Sequence, residues 1–237
     1  MIRTFSDTEI LDRAATYHIL STAADMLEHQ SRVSLVLAGG QTPLGTYREM
    51  VRARDQWDEL WDYVDFYWGD ERYVPHNHPE SNYRGAHRAA LRHLPIAPEQ
   101  VHPIPTDREK PDEAARRYED IFPERPDILL AGIGEDGHTL SLFPGSPALQ
   151  ERERRVLAVE APVEPQTRIT VTPPAVRSAR QLLVLVKGSS KAEAVKRAQA
   201  PQGDIDDTPA RLLREAEWFV DQEAAGHIDE QKHNRAR

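Results

Sequence analysis

Asp136, His138, Thr139 and Ser141 fall within six residues of one another, on a stretch that Gly132, Gly134 and Gly137 allow to turn sharply and approach a ligand closely. Histidine is the natural general base near neutral pH, so the cluster can supply acid-base chemistry beside a ligand held at the glycine turn. Asp136 stands two residues before His138. It could orient the ring or fix its tautomer, as carboxylates do for catalytic histidines, or it could be a turn residue bonded to its own backbone. Backbone N–H groups around Gly134 to Gly137 are candidate donors to a developing oxyanion, with Arg72 as the alternative.

The three glycines also satisfy G-x-G-x-x-G, the dinucleotide fingerprint. The residues around the third glycine exclude that reading. In the fingerprint this glycine opens a long helix, whereas Pro144-Gly145 would break one within about two turns, and Asp136 would stand where a pyrophosphate should lie.

Other residues suit an anionic substrate. Gly39-Gly40-Gln41-Thr42-Pro43 comes directly after an apolar run, with Thr42 as N-cap and Pro43 as first helical residue, so free N–H groups are expected to point out of the turn. Lys187-Gly188-Ser189-Ser190-Lys191-Ala192-Glu193 repeats the arrangement. The Ser190/Glu193 spacing of a capping box places Lys191 at a helix start, where a cation is unfavourable unless an anion binds beside it. Asp70-Glu71-Arg72 reads either as a solvated turn or as a polar-substrate site with Arg72 clamping an anion. His76 and His78 lack a third ligand at a characteristic spacing, so they read as surface-loop histidines and no metal site is expected. No lysine completes a P-loop.

The elements that must position these residues read as alternating strands and helices. Strands are expected at 33–38, 64–68, 128–131, 156–160, 168–172 and 182–186, with 218–220 as an edge strand. A first helix capped by Ser6 or Asp7 carries Ile10, Ala14, Tyr17, Leu20, Ala24 and Leu27 at helical spacing. Further helices are expected at 44–50, 82–91, 112–121 and from Pro173 to near Arg180, and a last short one starts at Thr208-Pro209. Loops after parallel strands are where open α/β sheets bind ligands.

The 237 residues carry 39% hydrophobic and 29% charged side chains and a formal net charge of −9, a balance that argues against general nucleic-acid binding. With no cysteine, disulfides and thiolate zinc sites are excluded. No apolar run is long enough for a membrane span and no signal-peptide pattern is visible, so a cytoplasmic location is expected. Residues 1–226 read as a single α/β domain and 227–237 as a polar, disordered tail.

Taken together, Gly39-Gly40-x-Thr42-Pro43, Asp70-Glu71-Arg72-x-Val74-Pro75 with His78-Pro-Glu-Ser-Asn82, and Gly134-x-Asp136-Gly137-His138-Thr-x-Ser-Leu-Phe-Pro-Gly145 resemble the 6-phosphogluconolactonases of the glucosamine-6-phosphate isomerase/6-phosphogluconolactonase family. Arg168-Ile-Thr170, Gly188-x-x-Lys191-Ala, Pro209-Ala-x-Leu-Leu and Trp218-Phe-Val-Asp221 extend the likeness over nearly the whole chain. Leu140 departs from the alanine common there, and Gln41 is a variable point.

The resemblance implies a three-layer α/β fold with a mostly parallel sheet and helices on both faces, of the kind shared with glucosamine-6-phosphate deaminase and ribose-5-phosphate isomerase. It implies hydrolysis of 6-phosphoglucono-1,5-lactone in the pentose phosphate pathway, with no organic cofactor or metal, by a monomer or small homo-oligomer whose partner is the sugar-phosphate lactone. By the resemblance His138 would be the base that activates water, and Arg72 would help to hold the anionic substrate; His138, Asp136 and Arg72 together are the candidate catalytic residues. Gly39, Gly40, Thr42, Asp70, Arg168 and Lys191 would hold substrate. A deaminase or isomerase on the same fold, and a non-catalytic sugar-phosphate-binding regulator, are the alternatives.

Overall fold

The computed structural model describes residues 1–106 and 110–226; the tail expected at 227–237 lies outside the described residues. In chain order the regular elements are β1 (Ile2–Phe5), α1 (Thr8–Leu27), β2 (Val33–Leu37), α2 (Leu44–Arg52), β3 (Val64–Trp68), β4 (Asp70–Arg72), α3 (Asn82–Ala89), α4 (Pro111–Ile121), β5 (Ile128–Ala131), β6 (Val156–Glu160), β7 (Thr167–Val171), α5 (Pro173–Ser178), β8 (Gln181–Val186), α6 (Ala192–Gln199), β9 (Glu217–Asp221) and α7 (Gln222–Ala225). Six strands form a wholly parallel sheet in the order β1-β9-β8-β5-β2-β3. The expected α/β class with a mostly parallel sheet is therefore the one observed.

The strand sequences explain the order. β5 is Ile-Leu-Leu-Ala with every residue buried, the pattern of a strand covered on both faces, and it lies between β2 and β8. From β2 the chain runs outward to β3, then returns past β2 to β5 and continues the other way to β8 and β9. The loops leaving β2 and β5 therefore diverge, which opens a crevice at their carboxyl ends.

A smaller antiparallel sheet, β4-β7-β6, hangs from that end. Gly69 is the joint. Its N–H donates to Leu37 O of β2 at 3.0 Å and its carbonyl accepts from Val171 N of β7 at 2.8 Å. Asp70-Glu71-Arg72 is thus a buried strand and not a solvated turn, because both neighbours of the turn are captured by a sheet that no local pattern announces.

Three other expectations need correction. Asp7 does cap α1, accepting from Ile10 N at 2.8 Å. The buried face, however, is Leu11, Ala15, Ile19, Leu20 and Ala23, while Ile10 and Tyr17 are 39% and 66% exposed. Apolar residues lie on more than one side of this helix, and packing on α2 selects the side that also brings Asp12 and Thr16 to Thr46. β9 is interior and not an edge, since the four-residue β1, too short to register as a strand, pairs outside it. The short helix expected from Thr208-Pro209 is present as a 3₁₀ helix, Pro209–Leu213, but it is not the last, since α7 follows β9.

The true edges are β1 and β3, and β3 is covered. His102 N donates to Phe66 O at 2.9 Å, and the Gln100 amide donates to Trp61 O and Val64 O at 2.7 Å each. At the strand's end the Tyr118 hydroxyl of α4 accepts from Trp68 N at 2.7 Å and donates to Trp68 O at 3.0 Å. Such covering removes a template for unwanted strand pairing. Tyr118 is fully buried, and burial pushes its phenol well above its ordinary pKa, so the hydroxyl stays a donor. Tyr118→Phe leaves both Trp68 backbone groups without that partner, so urea denaturation is expected to register a loss of about 1–3 kcal/mol.

Candidate active site

β5 ends at Ala131, and the next ten residues fold tightly on themselves. Gly134 N donates to His138 O at 2.8 Å, Gly137 N donates to Gly134 O at 3.1 Å, and Gly137 takes φ +92°. The loop brings the Asp136 carboxylate to His138 twice through one oxygen. Oδ1 accepts from His138 N at 3.0 Å and lies 2.6 Å from ring Nδ1. The two readings of Asp136 are not exclusive, for it closes the turn and orients the imidazole together. A proton on Nδ1 directed at the carboxylate leaves Nε2 as the acceptor.

Gly134 makes this pairing possible. A Cβ there would lie 2.1 Å from His138 Nδ1 and 2.5 Å from Asp136 Oδ1, so any side chain displaces the pair. Phe143 closes the other side of the imidazole, with ring centroids 4.4 Å apart.

The small sheet supplies the opposing wall. Asp70 pairs with Thr170 and Arg72 with Arg168, so these four residues share one face while Glu71 and Ile169 share the other. Two arginines directly opposite each other repel, a pairing that a structural sheet avoids and an anion would relieve. Arg168 is 5% exposed; burial and then Arg72 lower its proton affinity, and its Nε donates to Pro165 O at 2.6 Å. Arg72 Nη1 donates to Glu80 O at 2.6 Å and to Glu80 Oε2 at 3.1 Å, while its Nε is buried with no partner among the described residues.

Behind that wall Glu71, 1% exposed, accepts from Arg72 N (2.8 Å), Asn82 N (2.7 Å), Tyr83 N (2.8 Å) and Ser81 Oγ (2.9 Å). Burial raises its pKa and these hydrogen bonds oppose the rise. Glu71 thereby fixes the start of α3 against β4. Asn82 in turn donates to Asp70 O at 2.9 Å, and Ser141 Oγ donates to Asp70 Oδ2 at 2.6 Å.

His138, Arg72, Asp70, Arg168, Lys191, Gly39, Gly40 and Thr42 all line one cleft of about 320 Å³, a volume in the small-molecule range. Asp136 is the one expected site residue that does not line it, standing behind His138. Asn82 and Leu140 line it as well, and the sequence assigned neither of them a role. Asn82 closes the His78-Pro-Glu-Ser-Asn82 motif, and Gly39 was its signal: a Cβ there would meet the Asn82 amide at 2.2 Å. Leu140 adopts φ +55°, a conformation its neighbours impose.

The capping expectations fail in detail. Pro43, not Thr42, occupies the cap position of α2, and Lys191 occupies that of α6 after a 3₁₀ turn at Ser189–Lys191; neither Thr42 nor Ser190 makes a side-chain cap bond. The local spacing was compatible with a cap, but the chain inserts a tighter turn at each strand end. Among the described residues no acceptor takes the N–H of Gly40, Gln41 or Thr42. No cluster of three or more potential metal ligands occurs among the described residues, and His76 bonds Ile104 O and packs at a tilt against the Tyr83 ring.

Fold and cleft define an α/β protein with a histidine and a cationic pocket at the switch point of a parallel sheet. Residues 6–220 match the family model of glucosamine-6-phosphate isomerases/6-phosphogluconolactonase, and the chain belongs to that family. It is 36% identical to the 6-phosphogluconolactonase of Mycobacterium leprae over 96% of this chain and 98% of that one, and 33% identical to that of Synechocystis over 93% and 95%. The 6-phosphogluconolactonase structure from Trypanosoma brucei superposes with a TM-score of 0.83 at 28% identity, covering 96% of this chain and 98% of that one. A monomeric glucosamine-6-phosphate deaminase, 23% identical, shares the fold with a TM-score of 0.84.

Because Gly134 leaves no room for a Cβ, Gly134→Ala is expected to turn His138 away from the cleft and lower kcat by about two orders of magnitude, the scale of a 1 Å misplacement. Steady-state kinetics alongside circular dichroism check that the loss is not one of folding.

Proposed function

We propose that the protein hydrolyses 6-phospho-D-glucono-1,5-lactone to 6-phospho-D-gluconate in the oxidative pentose phosphate pathway, with His138 as general base. The observation that supports the mechanism is the 2.6 Å contact of Asp136 Oδ1 with His138 Nδ1, which leaves Nε2 as the acceptor on a residue that lines the cleft. The lactonases among its relatives support the substrate.

In this reading Nε2 removes a proton from water as its oxygen adds to the C1 carbonyl, and the imidazolium, steadied by Asp136, returns that proton to the ring oxygen as the C1–O bond breaks. The oxyanion falls to Arg72. The N–H groups of Gly134, Gly137 and His138 are engaged inside the loop, which removes three of the backbone donors expected there, whereas Arg72 Nε is buried and unpartnered among the described residues. Phosphate sits between the unpaired amides at 40–42 and Lys191, whose nearest carboxylate, Glu135, is 3.9 Å away and largely exposed. Arg168 supports the anion from the β7 side. The protein is read as cytoplasmic; no helix among the described residues is long and apolar enough to cross a membrane.

A deaminase reading is disfavoured by Phe143. Ring opening of an amino sugar needs a second acid-base group near the histidine, and this aromatic, packed on the imidazole, cannot relay a proton. His138→Ala is expected to lower kcat at least about 10²-fold while 6-phosphogluconate still binds by calorimetry. Lactone turnover insensitive to that change would defeat the mechanism. Ammonia release from glucosamine 6-phosphate at a rate comparable to lactone hydrolysis would defeat the substrate assignment.

A further inference from the structure

One buried ion pair takes no part in the reaction above. Lys187, the first residue past β8, places Nζ 2.6 Å from Asp12 Oδ1 of α1, and the two side chains are 15% and 10% exposed. The same ammonium donates to Thr42 O, in the turn after β2, at 2.9 Å. Asp12 is held in turn by α2: Thr46 Oγ1 donates to its Oδ1 at 2.7 Å, and a Cβ on Gly45 would lie 1.9 Å from its Oδ2. From Lys187 the chain passes to Gly188, whose N–H is held by both Asp221 carboxylate oxygens at 3.1 and 2.9 Å, and then to Lys191. A single side chain therefore ties the 39–42 turn to the turn that carries Lys191, across the end of β5.

Buried pairs are weak devices for stability, because desolvation offsets most of their attraction, so conformational registration is the better account of a lysine placed here. Thr42 is not a helix cap, and its carbonyl is instead held toward Lys187. That leaves the amides of 40–42 free of any described acceptor. Lys187 itself does not line the cleft.

We propose that Asp12 and Lys187 are positioning residues that hold the Gly39–Thr42 turn in register with Lys191, so that amides and ammonium converge on one phosphate group. This rests on the reading of that end of the cleft as the phosphate subsite. Neither residue touches substrate; both act through the turn.

The test uses the full-length enzyme with Lys187→Met, the double variant Asp12→Asn/Lys187→Met, which leaves no buried charge unpaired, and Lys191→Ala as reference. For each, kcat, KM for the lactone, the inhibition constant of inorganic phosphate and the thermal midpoint are measured. In both tether variants KM and the phosphate constant are expected to rise roughly tenfold, the scale of a charge-assisted hydrogen bond, with kcat held within about threefold. A lowered midpoint with unchanged KM and phosphate constant would make the pair merely structural and overturn the proposal, as would a double variant that fails to fold. If Lys191→Ala weakens phosphate and the tether variants do not, the tether alone fails. If Lys191→Ala also leaves phosphate unaffected, the subsite reading itself is wrong.

Discussion

The site depends on the parallel pairing of β5 between β2 and β8. That pairing sets three carboxyl ends side by side, so the Gly39–Thr42 turn, the His138 loop and the Lys191 turn emerge next to one another although about 150 residues separate the first from the last. A parallel strand carries its neighbours' loops to the same end of the sheet, which antiparallel pairing would not do. The apolar composition of β5 is thus a requirement for the cleft, because it places the His138 loop between the other two.

The second constraint is the departure of the chain at Gly69. By leaving the main sheet there it builds a small antiparallel wall whose register sets Arg72 beside Arg168 and Asp70 beside Thr170. Repulsion between the two arginines favours an anion between them, and Glu71 holds the wall from behind with four hydrogen bonds. His138 and the two arginines come from different sheets. Their separation is then set by two sheet frameworks rather than by loop flexibility, which suits a reaction relying on fixed dipoles and not on a moving nucleophile.

The two ends of the cleft divide the work. On the β5 side, Gly134 and Phe143 confine the imidazole while Asp136 engages its Nδ1. At the far end lie the amides at 40–42, without an acceptor among the described residues, and the Lys191 ammonium, the groups to which the phosphate is assigned in the proposed function. The family model spans glucosamine-6-phosphate isomerases and 6-phosphogluconolactonase, so one scaffold serves more than one reaction.

Much of this was legible in the sequence. The strands β2, β3, β5 and β8 are largely apolar runs closed by glycine or charge, and the clustering of Asp136 with His138 needed no tertiary information, because residues two apart in a glycine turn must be neighbours. The glycines were informative for a steric reason: at 39 and 134 any side chain would strike a site residue. What only the tertiary structure decided were matters of partnership. Which face of α1 is buried depended on α2; β9 became interior because a four-residue strand pairs beyond it; Asp70-Glu71-Arg72 became a strand because β7 lies alongside; and Thr42 lost its role as a cap to a carbonyl held by Lys187. In each case the local sequence allows more than one arrangement of nearly equal free energy, and a contact from more than twenty residues away selects between them.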